Sequence, residues 1–320
     1  MKKFFPGILP HHSPLLVRNM SVEISALATL RILKHCSGTD GSANVSGCLL
    51  GLDNDKGDVE ITNAFIHPAR GAADFQPQEK GDETTTIESA TPAASFQSDM
   101  LKLLKSANMD ANIVGWFQSS TLSSFVNEAT VDIQFDYQNQ NGNAVMIVAD
   151  SCDASNALRA FRLSPEYMQL MRTIRDRKNQ GPATLITGGP VEFSLSKNSV
   201  FVQVPLVTKL SILDEAYVFE NRSKIPATVS AIRDSSSLTN AINQLTETVE
   251  DLGIEKVRWS TLAATKPGTR IRGEDEVKRL QSANDMILLA ENAKMLARHV
   301  NHGIEESRDL CKLYRAGLVE

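Results

Sequence analysis

The sequence predicts an α+β fold, a mixed sheet flanked by helices and followed by a C-terminal helical tail. Three observations lead there. Short runs of β-branched and apolar residues alternate with segments of helical period from about residue 22 to residue 207. Clusters of Gly, Pro, Asn and Asp punctuate those runs. From Ser235 onward the pattern is helical almost throughout. A boundary near residue 230 therefore separates a mixed domain, residues 21–230, from a tail, residues 231–320, with residues 1–20 as an N-terminal arm.

The arm opens with the Lys pair of a secretory signal, but Pro6, Gly7, Pro10 and the His11-His12 pair interrupt what would have to be a continuous apolar segment. Adjacent histidines in such a Pro-rich arm read as solvated polar residues rather than metal ligands. Residues 22–36 place Ile24, Leu27, Ala28, Leu30 and Leu33 at threes and fours, which predicts a helix with one buried stripe. Residues 45–52 form a short apolar run ended by Asp53-Asn54-Asp55, and residues 59–66 resume after Gly57, so the two read as a hairpin. Residues 68–92 are rich in Pro, Gly, Thr, Asp and Glu and predict a long surface loop. Phe96, Met100, Leu103 and Leu104 then mark a helix with Asp99, Lys102 and Lys105 outside. Residues 113–117, 145–149 and 158–163 read as strands, 123–132 as helical or irregular, 167–175 as a helix, and 200–207 as a late strand.

In the tail, Leu238, Ile242, Leu245, Val249 and Leu252 alternate four and three apart, the narrow seam of a coiled-coil-like helix with one principal partner. The last helix, about residues 274–304, differs. Val277, Leu280, Ile287, Leu288 and Met295 fall on one side, and Met286, Leu289, Ala293, Ala297 and Val300 on nearly the opposite side. Two apolar faces need two sets of neighbours, and the expectation is that helices of another protein cover at least one of them.

Composition excludes several function classes. With 42% hydrophobic and 22% charged residues and a mean hydropathy of -0.19, no apolar run reaches the ~18 residues of a membrane span. A net charge of -5 argues against a chain that wraps nucleic acid by its own field. Cys36, Cys48, Cys152 and Cys311 match neither a zinc ribbon nor a disulfide framework, so a reducing cytoplasm is the expected home. No nucleophile elbow, phosphate loop or dinucleotide fingerprint is present. His35 and His67, each beside an apolar stretch, read as structural residues.

The segment Val114-Gly115-Trp116-Phe117-Gln118-Ser119-Ser120 is preceded by Ser46-Gly47-Cys48-Leu49-Leu50-Gly51 and by the run from Val59 to Phe65. Together these resemble the MPN (JAMM-fold) domain family. In its zinc-dependent members two histidines and an aspartate hold the metal, a glutamate takes the proton of the bound water, and a serine steadies the oxyanion. Carried over residue by residue, the glutamate falls on Asn44, the histidines on Gln118 and Ser120, the serine on Glu128 and the aspartate on Val131. Neutral Gln118 and Ser120 are poor zinc ligands, Val131 is none, and Asn44 accepts no proton. Asp132 stands one residue from the aspartate position, but one carboxylate does not make a zinc site. The resemblance thus implies no catalysis, no metal and no cofactor.

Among non-catalytic members, Gly115-Trp116-Phe117-Gln118-Ser119, then Ser124-Phe125-Val126, then the run from Asp132 to Gln138, are similar to the h-type MPN family of eukaryotic translation initiation factor 3. Ala160-Phe161-Arg162-Leu163-Ser164-Pro165 and Val204-Pro205-Leu206-Val207 extend the likeness. It implies a scaffold whose MPN domain pairs with the f-type MPN protein of that factor, whose tail helices enter a shared bundle with its other subunits, and which meets the small ribosomal subunit through the complex. The alternatives are a non-catalytic MPN subunit of the proteasome lid or the signalosome, and a metal-dependent deubiquitinase with displaced ligands. Arg172, Arg175, Arg177 and Lys178 form a basic cluster that is a candidate phosphate contact for ribosomal RNA.

Overall fold

The computed structural model of the chain describes residues 20–37, 45–54, 57–67, 92–122, 124–150, 157–179, 185–186, 199–221, 235–263 and 271–315. The expected N-terminal arm and the loop from residue 68 to 91 lie outside the described residues. The helix expected over residues 22–36 is preceded by a short strand: β1 (Val22–Ser25) leads directly into α1 (Ala26–Ser37). Val22 and Ile24 are buried with period two, and Ser25 Oγ accepts a hydrogen bond from Ala28 N at 3.2 Å, which starts the helix. β2 (Ser46–Asp53) and β3 (Val59–Ile66) form the expected antiparallel hairpin. Its turn holds Gly57 at φ +93°, a conformation that costs glycine no Cβ clash.

After these come α2 (Pro92–Ser106), β4 (Ile113–Ser120), α3 (Glu128–Gln140), β5 (Val145–Asp150), β6 (Leu158–Leu163), α4 (Pro165–Asn179) and β7 (Leu185–Ile186). The single strand expected over residues 200–207 is two, β8 (Phe201–Val204) and β9 (Leu206–Lys209), divided at Pro205. The order across the sheet is β8-β6-β5-β4-β2-β3-β1-β9, so β8 and β9 lie at opposite ends. One residue joins those ends, so the sheet curls until its edges approach. Pro205, which has no N–H for a ladder, sits at the join and its carbonyl accepts from Val22 N at 2.9 Å. The sheet is mixed: β4 pairs in parallel with β5 and β1 with both β3 and β9, and the remaining pairs are antiparallel. Last come α5 (Ile212–Asn221), α6 (Ser235–Ala263), β10 (Ile271–Arg272), which pairs with β7, and α7 (Gly273–Arg315).

β5 is buried on both faces, which is why it reads as a continuous apolar run. Val145 and Ile147 join α1 residues Ala28 and Ile32 in one core. Met146 and Val148 join Val131 and Phe135 of α3 and Met168 and Met171 of α4 in the other. Gly115 is required by contact: a Cβ there would lie 1.9 Å from the Val145 carbonyl oxygen of the parallel neighbour.

The long tail helices revise two expectations. Leu280, Leu288 and Met295 are buried in the same core as α4 and the sheet, with Ile287 packed against it, while Val277 is half-buried. Leu296 and Val300 pack with Ala241, Leu238 and Leu245 of α6. Glu255 meets Ser282 and Ala241 meets Leu296, so α6 and α7 run antiparallel. Both apolar faces of α7 are therefore covered by the chain itself, and no foreign helix is needed over the face from Leu280 to Met295. On α6 the buried line runs through Ala241, Thr248 and Glu255, whereas Ile242 and Val249 are 45% and 51% exposed. The expected seam is rotated by about one residue. Polar side chains are tolerated on it because each has a partner: Thr248 Oγ1 donates to Gln244 O at 2.7 Å, and Glu255 accepts from Ser282 Oγ.

Candidate functional site

The segment that carries the family likeness lies where β2, β4 and the N-terminal half of α3 converge. Asn127 caps α3, its Oδ1 accepting from Thr130 N at 2.7 Å. Two buried glutamines fasten the helix to the sheet. Trp116 Nε1 donates to Gln134 Oε1 at 2.8 Å, Gln134 Nε2 donates to Gln138 Oε1 at 2.9 Å and to the Ala144 carbonyl at 3.1 Å, and Gln138 Oε1 accepts from Leu163 N at 2.7 Å. This chain of amides explains why the run from Asp132 to Gln138 carries glutamine at positions four apart, on one helix face turned inward.

Above the network is a cavity of about 230 Å³. Trp116 and Tyr137 line it with ring planes 15° apart and centroids 6.4 Å apart, and Ile133, Thr130 and Gln118 complete its inner walls. The positions that resemblance identified divide around it. Asn44 lies outside the described residues. Gln118 lines the cavity and its Oε1 accepts from Thr130 Oγ1 at 3.4 Å. Ser120 is buried, and its Oγ has no hydrogen-bond partner among the described residues. Glu128 is exposed on the first turn of α3, and Val131 is wholly buried in the core. Asp132 is engaged by Arg175 at 3.4 Å.

These residues do not fit the zinc of the catalytic family members. The residue that the resemblance puts at the aspartate position is a core valine, those it puts at the histidine positions carry an amide and a hydroxyl, and the adjacent carboxylate is held in an ion pair. Among the described residues no three of His, Cys, Asp and Glu are placed to share a metal ion.

A second feature of the site escaped sequence reasoning. Cys48 Sγ, buried beneath the cavity, lies 3.2 Å from His67 Nε2 and 3.6 Å from Tyr137 Oη. Burial pushes the Cys48 thiol up to about 11 and also raises the Tyr137 phenol, while burial lowers the His67 imidazole. All three groups are thus held neutral near pH 7, the opposite of the thiolate–imidazolium pair a cysteine nucleophile requires. His67 is the structural residue expected of it. Its place was legible only through the hairpin, whose register sets His67 N on the Ser46 carbonyl at 2.9 Å.

The basic cluster on α4 is partly consumed. Arg175 donates to Asp136 Oδ1 at 2.6 Å, pairs with Asp132 and stacks its guanidinium 4.3 Å from the Phe135 ring centroid. Arg172 reaches Asn139, while Lys178 is exposed. After β9, α5 was not anticipated from the sequence. Ile212, Leu213 and Phe219 are 85%, 81% and 79% exposed, and Tyr217 is exposed beside them. Leu27 and Leu30 on α1 are exposed as well.

Comparison with known proteins agrees with the motif reading. Residues 18–143 match the model of the family described as JAB1/Mov34/MPN/PAD-1 ubiquitin protease. A Neurospora crassa protein named as the H subunit of eukaryotic translation initiation factor 3 is 32% identical over 193 residues, which cover 58% of this chain and 50% of the relative. A protein of the same name from Pyricularia oryzae is 28% identical over 228 residues, covering 67% of this chain and 60% of the relative. That of Nematostella vectensis is 29% identical over 272 residues, covering 82% and 75%. The chain spans between half and three-fifths of the length of the first two. No helix among the described residues is long and apolar enough to cross a membrane.

Proposed function

We propose, from the match of residues 18–143 to the JAB1/Mov34/MPN/PAD-1 family model, that the chain is a non-catalytic scaffold subunit of a cytoplasmic translation initiation factor 3 complex. The observation that carries this reading is the full burial of Val131 in the core, at the position the resemblance assigns to the aspartate ligand of catalytic members. Relatives named as the H subunit of that factor support the assignment to translation initiation rather than to the proteasome lid or signalosome.

The surface for assembly is the exposed apolar residues of α5 and of α1. A ten-residue helix is too short to persist alone in water, and α5 buries no side chain of its own against the rest of the chain. Its apolar residues, with Leu27 and Leu30 of α1, supply the surface for pairing with the f-type MPN protein of the factor. Ile242 and Val249 on the outer flank of α6 supply a second, smaller contact for the helices of other subunits. Contact with the small ribosomal subunit is made through the complex, with Arg172, Arg177 and Lys178 as the basic side chains left for phosphate.

The test is affinity purification of the tagged chain from cytosol, with mass spectrometry of the partners and a zinc determination. Initiation-factor and small-subunit proteins without stoichiometric zinc are expected. Lid or signalosome partners would reassign the complex, and one zinc per chain would overturn the non-catalytic reading.

A further inference from the structure

The cavity between β4 and α3 has a lining that none of the assembly contacts uses. We propose that it is a receptor for one uncharged apolar side chain of a partner polypeptide, whose backbone carbonyls meet the side-chain amides of Gln118 and Asn127.

Size is the first ground. At about 230 Å³ the cavity falls below the roughly 300–1,000 Å³ of pockets that take cofactors or drug-sized ligands. It suits a side chain of the bulk of Leu or Phe.

Charge is the second. Among the described residues no Asp, Glu, Lys or Arg lines the cavity, and its two titratable neighbours, His67 and Tyr137, are neutral. An ionised group entering it would lose water and find no counter-charge.

Hydrogen bonding is the third. Trp116, Tyr137 and Ile133 offer apolar surface to an inserted side chain. The oxygens of Gln118 and Asn127 already accept bonds from Thr130, whereas among the described residues neither side-chain NH₂ donates to an acceptor. Two free amide donors beside an apolar pocket match the carbonyls that flank a peptide side chain.

A nucleobase would meet the same aromatic rings. Its phosphates, however, need cations, whereas the first turn of α3, beside the cavity mouth, carries Glu128. A polypeptide is therefore the occupant. The inference stands on the lining alone and does not require membership of any complex.

The experiment is an NMR titration of the full chain, following the Trp116 indole and the methyl groups of Ala129, Thr130 and Ile133. The probes are the N-acetyl methylamides of Phe, Leu, Lys and Glu, and uridine 5′-monophosphate. Saturable shifts with the Phe or Leu probe, at least tenfold weaker responses with Lys and Glu, and none with the nucleotide are expected. Ala129→Trp, on an exposed turn at the cavity mouth, should abolish the shifts without changing the thermal midpoint; Ile133→Trp serves if that variant does not fold. The proposal is overturned by any of four outcomes: no saturation with either neutral probe, equal response to the charged ones, a nucleotide response in their place, or shifts that survive the plugging variant.

Discussion

The two sides of the curled sheet treat apolar helices in opposite ways. On the side of α3 and α4, the 43-residue helix α7 lays Leu280, Leu288 and Met295 into a core shared with the strands, and turns its other face to α6. After the edge strand β9, by contrast, the ten-residue α5 leaves Ile212, Leu213 and Phe219 in water. Apolar content is not what separates them. α7 carries apolar residues on two faces and is closed, whereas α5 carries them around a wide arc and is open. What differs is whether the same chain brings a complementary surface within reach. A partner is therefore to be sought at α5, although the sequence pattern pointed to α7.

The largest effect expected from this contrast is on the closed side. Leu288→Asp puts a charge without a partner into the core of α4, α7 and the sheet, and should lower unfolding free energy by about 3–5 kcal/mol. Urea denaturation of the isolated chain measures it. A loss under about 1 kcal/mol would mean that α7 is detachable from the sheet and that its face is free for another protein after all.

On the open side the same chemistry should act in the opposite register. Leu213→Asp with Phe219→Asp should leave the stability of the isolated chain within about 0.5 kcal/mol, as for surface changes. Removal of two apolar side chains proposed as anchors should cost about 2 kcal/mol or more of association, roughly thirtyfold, in pull-down of the proposed MPN partner. If the pair of substitutions instead destabilises the chain while binding is unchanged, α5 packs onto its own domain and the contrast between the two sides disappears.

How much of this was legible beforehand follows the range of the interactions involved. The β2–β3 hairpin and β5 could be read because alternation, the turn at Gly57 and an all-apolar run are local signals. β1 could not, since a four-residue strand ahead of a helix leaves only Val22 and Ile24 to show period two. The division at Pro205 was visible as a proline, but its consequence, a bend that sends β8 and β9 to opposite ends of the sheet, depends on strands distant in the chain. The rotation of the α6 seam depends on Ser282 partnering Glu255 from another helix. At the site, the motif resemblance assigned residues to the metal-ligand positions one by one, and of these the structure describes Gln118, Ser120, Glu128 and Val131. The Cys48–His67–Tyr137 cluster was not legible, because Cys48 and Tyr137 are 89 residues apart.

That cluster gives the smallest contrast between the sides, and one that pH reveals. His67 has a lowered value in the folded chain against an ordinary 6.5, so below about pH 6.5 the unfolded chain binds a proton that the folded chain resists. Stability should therefore fall as the pH drops through 6.5 toward the folded value and level off beneath it, with a slope no steeper than the ~1.4 kcal/mol per pH unit of a single proton. At the other end, Cys48 is raised from 9.0 to about 11, so stability present below pH 9 should be lost as the pH climbs toward 11. Cys36, on the buried face of α1 and raised to about 11 as well, adds its own loss in that alkaline window. Urea midpoints measured from pH 5 to pH 11 should thus form a plateau between about 6.5 and 9. His67→Gln should flatten the acid flank while leaving the alkaline one, and Cys48→Ala should remove only part of the alkaline flank, the remainder belonging to Cys36 and, above pH 10, to the buried phenols of Tyr137 and Tyr167. An acid flank unchanged in His67→Gln would place its cause in carboxylates elsewhere and leave the cluster without a role in stability.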